Sequence, residues 1–163
     1  PSIIFGQEDQ FTNRFAALIR MLPAVPVIGA STKFQPVFVG DVARAVAAVV
    51  KNPGAHAAKT YELGGPDVMT MSQINRWLAE ETGRERTLIE VPDGLAELLA
   101  TLTGWLPGAP ITRDQWLMLQ KDNVVGAKAK GLAALGITGT PLDAVAPAWL
   151  VQYRKHGRFG AMA

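Results

Sequence analysis

His56 and His156 are the two imidazoles of a 163-residue chain that has no cysteine. An imidazole ligates a metal or moves protons only beside a carboxylate or second His at ligand spacing. Neither has one. His56 sits in the polar stretch Gly54-Ala55-His56-Ala57-Ala58-Lys59, and His156 in the basic stretch Arg154-Lys155-His156-Gly157-Arg158, so both are expected to face solvent. The carboxylate pairs Glu8-Asp9 and Glu80-Glu81 could do acid–base work only in an apolar setting that shifts a pKa, which neither has. Glu8-Asp9 precedes a helix pattern, where acids complement the positive end of the dipole. Gly64-Gly65-Pro66 follows a strand pattern as a phosphate-cradling turn would, but Pro66 removes an amide donor and no spaced Gly continues the fingerprint. A plain turn is expected there. Trp77, Trp116 and Trp149 fall on apolar helical stripes and read as core, whereas Trp105, in a Gly- and Pro-rich connection, suits a pocket wall or an interface.

The elements that would position these groups alternate between strand and helix patterns. Ser2 to Phe5 reads as a short strand buried on both faces, closed by Gly6. Phe15, Leu18, Ile19 and Leu22 recur at helical spacing until Pro23. Val25 to Ile28 and Pro36 to Val39 read as extended pieces around a polar turn. Asp41 has the chemistry of an N-cap for a helix through Val42, Val46, Val49 and Val50, stopped by Asn52-Pro53-Gly54. Thr60 to Leu63 is a strand candidate. Thr70-Met71-Ser72-Gln73 and Thr112-Arg113-Asp114-Gln115 fit capping boxes, and Gly83 ends the first of these helices. Thr87 to Val91 is a strand stopped by Pro92, and Leu95, Leu98, Leu99 and Leu102 mark a helix. Pro141 takes the favoured first position of the last helix, where Pro147 predicts a kink or a restart.

Composition sets the outer limits. At 48% hydrophobic and 18% charged, the chain has the make-up of one globular domain with a substantial core. Sixteen basic against 14 acidic side chains leave +2, and no basic run is interleaved with aromatics, which argues against nucleic acid as partner. The cations of Arg154 to Arg158 fit a helix end, with a binding patch as the alternative. No apolar run approaches the roughly 18 residues that suggest a membrane span. The absence of cysteine removes disulfides, thiolate metal sites and Cys nucleophiles, and is compatible with a reducing compartment.

Three segments together resemble the extended or atypical short-chain dehydrogenase/reductases, the NAD-dependent epimerase/dehydratase superfamily. They are Pro1-Ser2-Ile3-Ile4-Phe5-Gly6, Phe34 to Val46, and Tyr61-Glu62-Leu63-Gly64-Gly65-Pro66 with the capped helix and Thr82-Gly83-Arg84 after it. Within it, the chain is most similar to the NAD(P)-binding accessory subunit of respiratory complex I and its bacterial relatives. The marks are Glu8 to Phe15, Pro110 to Gln115 with Lys121 to Val125, and Leu135-Gly136-Ile137 through Trp149-Leu150 to Tyr153-Arg154.

The resemblance implies a helix-rich α/β fold, residues 1–163 forming a single C-terminal substrate-binding lobe and residues 1–6 the remnant of a late Rossmann strand. The Gly-rich fingerprint, the residue that selects NAD or NADP, and the active-site Tyr and Lys would all precede Pro1, in a unit of roughly 100 to 150 residues. NAD or NADP is then expected in the full-length parent and none on this chain alone, with no catalytic residue among those present. Pro1, Ser2 and Ile3 match the stretch at the nicotinamide end. Phe5, Asn13, Phe34 and Gln35 would line the substrate side of the cleft. The nucleotide's implied role is structural or redox-sensing, with respiratory-complex subunits as partners and a cytoplasmic site peripheral to the inner membrane. Two alternatives stand beside it: a parent that is an NAD(P)-dependent oxidoreductase or nucleotide-sugar epimerase/dehydratase acting by hydride transfer, and a helical interaction module docking a larger complex. An apolar face left by the absent Rossmann half would favour self-association.

Overall fold

The computed structural model describes residues 1–103 and 111–157. Trp105, the candidate pocket wall, lies outside the described residues, as do Pro110 and Arg158. The strands are β1 (Ile4–Phe5), β2 (Ala24–Ile28), β3 (Lys33–Phe34), β4 (Val37–Phe38), β5 (Met69–Thr70) and β6 (Thr87–Val91). They form three pairs, β1 with β4 and β2 with β6 in parallel, and β3 with β5 antiparallel. The helices are α1 (Thr12–Met21), α2 (Val39–Lys51), α3 (Pro53–His56), α4 (Met71–Glu81), α5 (Asp93–Thr103), α6 (Arg113–Met118), α7 (Leu142–Val145) and α8 (Pro147–Leu150). The architecture is helix-rich α/β, as expected.

Local signals account for several of these elements. The Asp9 carboxylate accepts the amides of Gly6, Phe11 and Thr12 and the Thr12 hydroxyl, satisfying free donors at the start of α1. Both capping boxes are complete: Thr70 and Gln73 exchange bonds at the start of α4, and Thr112 and Gln115 do so at α6. Gly83, at φ +62°, closes α4 in the left-handed conformation, and the Arg84 amide reaches back to the Ala79 carbonyl. Pro147 does restart the chain as α8. The main core packs Ile19 of α1, Val25 and Val27 of β2, Ile74 and Leu78 of α4, and Leu150 of α8 around Phe5. Trp77 and Trp149 pack against it. A smaller cluster joins Val37, Ala45, Leu63 and Leu132.

Other expectations give way. Ser2 to Phe5 is not a strand buried on both faces. Only Ile4 and Phe5 pair, and Ile4 is 38% exposed because alternate strand residues face opposite sides and the core covers only that of Phe5. Val39 opens α2 instead of ending a strand, so Phe38 is its N-cap and Asp41 lies within the first turn. There Asp41 is fully buried, accepting from Arg44 and Thr140 instead of from free amides of its own helix. Val46 and Val50 point outward at 58% and 71% exposure, and small Ala45 is the buried apolar residue of the helix.

Thr60 to Leu63 makes one parallel bridge, Tyr61 with Lys130, instead of a strand. The Gly64-Gly65 turn that follows is wedged against Pro36, where a Cβ on Gly65 would lie 1.9 Å from the Pro36 carbonyl oxygen. In α5 the buried face is Ala96 and Ala100, while Leu95, Leu98 and Leu102 face out. Pro141 is the N-cap of α7, one position before the first helical residue. His56 is not solvent-facing. It ends α3 half-buried, with Nδ1 2.7 Å from the Tyr61 hydroxyl.

Candidate functional site

Ser2 is the hub of the region that the family resemblance assigns to the cofactor. Its amide donates to the Leu63 carbonyl at 2.8 Å and its hydroxyl to the Asn123 carbonyl at 2.6 Å. The hydroxyl oxygen in turn accepts the Gln35 amide at 3.1 Å. Gln35 spends both ends of its side chain on backbone: Nε2 donates to the Gly65 carbonyl at 2.8 Å, and Oε1 accepts the Val125 amide at 2.9 Å. Three loops from distant parts of the chain are therefore tied together at the strand β1. The Asn123 amide also donates to the Lys33 carbonyl, and the Lys33 amide to the Asp122 carboxylate, which lays residues 122–125 along β3. A buried polar group is stable only when bonded, and here the bonds are the scaffold.

The other predicted site residues fall around this hub. Ile3 packs against the core, and its carbonyl accepts the Val37 amide. Phe5 and Phe34 are core residues, with Phe5 beside Phe38 and Phe34 beside Phe11 at ring separations of 5.7 and 6.1 Å. Pro1 is exposed. Asn13 stands apart in the first turn of α1, its amide group donating to the Gln7 and Asp9 carbonyls and its oxygen accepting from Gln152. The structure thus brings Ser2, Ile3, Phe5, Phe34 and Gln35 to one place. Among the described residues, no group of three or more His, Asp or Glu side chains could hold a metal ion.

A second region is not foreseen by the sequence. Between the end of α4, the start of β6 and residues 154–157 lies an open cavity of about 1250 Å³. Arg76, Arg84, Arg86 and Lys155 line it. Arg84 anchors Nε on the Tyr153 carbonyl and Arg86 anchors Nε on the Ile19 carbonyl. Burial pushes the Arg84 guanidinium below its usual pKa, and Arg86 and Arg20 beside it push the same way. The sequence signal is present as two short basic stretches, Arg84-Glu85-Arg86 and Arg154-Lys155-His156, but they are too far apart in sequence for spacing to join them.

The fold and the Ser2 hub define a helix-rich α/β lobe assembled around a short parallel strand pair. No family model matches the chain. Among curated proteins, it is 32% identical to the mitochondrial NADH dehydrogenase (ubiquinone) 1 alpha subcomplex subunit 9 of Arabidopsis thaliana, over 99% of this chain and 43% of that protein. The same subunit of Rattus norvegicus is 33% identical over 88% of this chain and 38% of that protein. That of Dictyostelium discoideum is 26% identical over 100% of this chain and 46% of that protein. The chain is thus similar, along most or all of its length, to part of these complex I alpha subcomplex subunit 9 proteins. It spans less than half the length of each of these relatives. Among solved structures, the Thermus thermophilus UDP-glucose 4-epimerase, in complex with NAD, aligns at a TM-score of 0.42 and 17% identity. That alignment covers 73% of this chain and 44% of the epimerase, a likeness too distant to bear on function.

Proposed function

We propose that this chain is the C-terminal lobe of an NAD(P)-binding protein of the complex I accessory-subunit type, whose nucleotide serves structure or redox sensing. The observation that carries this reading is the match to those relatives along the whole chain, which includes the Ser2, Gln35 and Asn123 hub. In this reading Pro1, Ser2 and Ile3 approach the nicotinamide end, and Phe5, Asn13, Phe34 and Gln35 form the wall on the substrate side. Ser2 and Gln35 act there through the backbone they hold, since their polar atoms are already engaged.

Docking against other respiratory-complex subunits, peripheral to the inner membrane, goes with this role. Exposed Leu95 and Leu98 on α5 and Leu117 and Met118 on α6 support it, as exposed apolar surface does in general. No described helix is long and apolar enough to cross a membrane.

The test uses the complete parent protein. Purified material should release stoichiometric NAD(P) on denaturation, and should co-sediment with the respiratory complex. It should show no substrate-dependent oxidation of NAD(P)H across a panel of small carbonyl compounds. Robust turnover on any of them would replace this reading with hydride-transfer catalysis.

A further inference from the structure

We propose that the cavity at the end of α4 is a binding site for a phosphate-bearing anion. It does not rest on the complex I reading, because it stands on cations away from the Ser2 hub. The ordinary explanation for cations there is that they satisfy the last carbonyls of the helix. In this structure those carbonyls are already taken. Leu78 and Ala79 accept the Thr82 hydroxyl, Ala79 also accepts the Arg84 amide, Glu80 accepts the Gly83 amide, and Glu81 accepts Arg154.

The remaining cations are not neutralised. Among the described residues the ion pairs are Arg44 with Asp41 and Arg154 with Glu81, so no carboxylate within pairing distance offsets Arg76, Arg84, Arg86 or Lys155. Glu80 and Glu85 also line the cavity, but both are exposed and neither reaches these cations. Arg84 and Arg86 are each fixed along one edge by their Nε bonds. A guanidinium held in that way is a preorganised fork, and the planar fork matches the oxygens of a phosphate group. The cavity, at about 1250 Å³, has room for a diphosphate or for a phosphate carrying a further group.

The backbone makes this cluster possible. Gly83 turns the chain back at φ +62°, so that Arg84 and Arg86 leave α4 beside Arg76. The Lys155 amide donates to the Thr82 carbonyl, bringing the 154–157 turn against the same helix end.

The experiment titrates the full chain with sodium pyrophosphate at low ionic strength, by calorimetry and thermal melting. Arg76→Ala combined with Lys155→Ala removes two exposed cations that, unlike Arg84 and Arg86, do not anchor backbone carbonyls. The expected result is saturable binding with a rise in Tm, weakened at least tenfold in that double variant. Lys128→Ala with Lys130→Ala, which removes the same charge elsewhere, should leave binding unchanged. Vesicles of phosphatidylcholine with and without an anionic phospholipid then separate the sources. Sedimentation with anionic vesicles, lost in the cavity variant, identifies a lipid headgroup, and pyrophosphate binding without it identifies a soluble phosphate compound. Pyrophosphate binding no tighter than chloride, or equal weakening in both double variants, overturns the proposal.

Discussion

Thr140 donates both its backbone amide and its hydroxyl to the Asp41 carboxylate, at 2.6 and 2.9 Å, across 99 residues of sequence. This clamp holds the start of α7 against α2, and Asp41 is fully buried within it. Arg44 completes the carboxylate's shell, but its side chain is 57% exposed. An ion pair of that kind contributes between about 0 and 1 kcal/mol, so the Thr140 bonds dominate.

Asp41→Ala leaves the half-buried Thr140 amide without its acceptor and should cost about 2 to 4 kcal/mol. Thr140→Val keeps the amide bond and loses only the hydroxyl, for about 1 kcal/mol. In the Asp41→Ala background the valine substitution should cost almost nothing more, because the two residues share one interaction. Urea denaturation of the four proteins checks this. Additive losses would mean that the clamp does not exist in solution.

The same clamp shows what can be read from the sequence and what cannot. Thr70 with Gln73, Thr112 with Gln115, and Gly83 are legible because each signal and its partner lie within a single turn of chain. Thr87 to Val91 matches β6 to the residue, bounded by Pro92. Asp41 reads as a cap because an acid before an apolar helical run is a local cap signal, while Thr140 is invisible at that range. Valine periodicity in α2 likewise says that one face is apolar, and only the fold shows that Val46 and Val50 on it face out. In the candidate site, the family likeness gathers Ser2, Phe34 and Gln35, but the Ser2 to Asn123 bond spans 121 residues and no periodicity could supply it. The cationic cavity is illegible for the same reason, its halves lying on either side of β6 and α5.

Gly65 should tolerate no side chain. A Cβ there would stand 1.9 Å from the Pro36 carbonyl oxygen, which is backbone and cannot swing away. Gly65→Ala is expected to cost about 3 kcal/mol or more, at or above the upper range of overpacking effects. Gly54 is the control, since nothing lies within 4 Å of the position its Cβ would take and it sits in α3. Gly54→Ala should stabilise by up to about 0.5 to 1 kcal/mol, through the lower entropy of the unfolded chain. Comparable losses in the two variants would show that space at Pro36 is not the cause.

The outward face of α2 predicts a separation of stability from association. Val46→Lys with Val50→Lys should shift the unfolding free energy by no more than about 0.5 kcal/mol, as exposed positions do. Multi-angle light scattering should find less association of the double variant than of the parent chain at equal concentration. A variant that unfolds, or that associates as strongly, removes this face as a contact surface.

Arg84 predicts that salt, and not pH, tunes the end of α4. Its pKa is lowered by burial first, then by Arg86 and Arg20. A cation whose folded pKa is lowered opposes folding at all pH values below that pKa, and the opposition fades only as pH rises through it. For a guanidinium that window is strongly alkaline, so between about pH 5 and 9 Arg84 stays charged and contributes a constant penalty. Screening acts where titration cannot. Raising the ionic strength from roughly 0.02 to 0.3 M shortens the reach of the Arg84, Arg86 and Arg20 repulsion and should raise the urea midpoint. Arg20 is exposed, with its guanidinium 5.7 Å from the Tyr153 ring centre, so Arg20→Gln removes one charge without opening the core. The variant should gain less from salt than the parent chain does, and the difference between the two curves isolates this cluster from every other salt effect. Identical salt dependence in both proteins would remove Arg20 as a source of the penalty and leave burial and Arg86 as its causes.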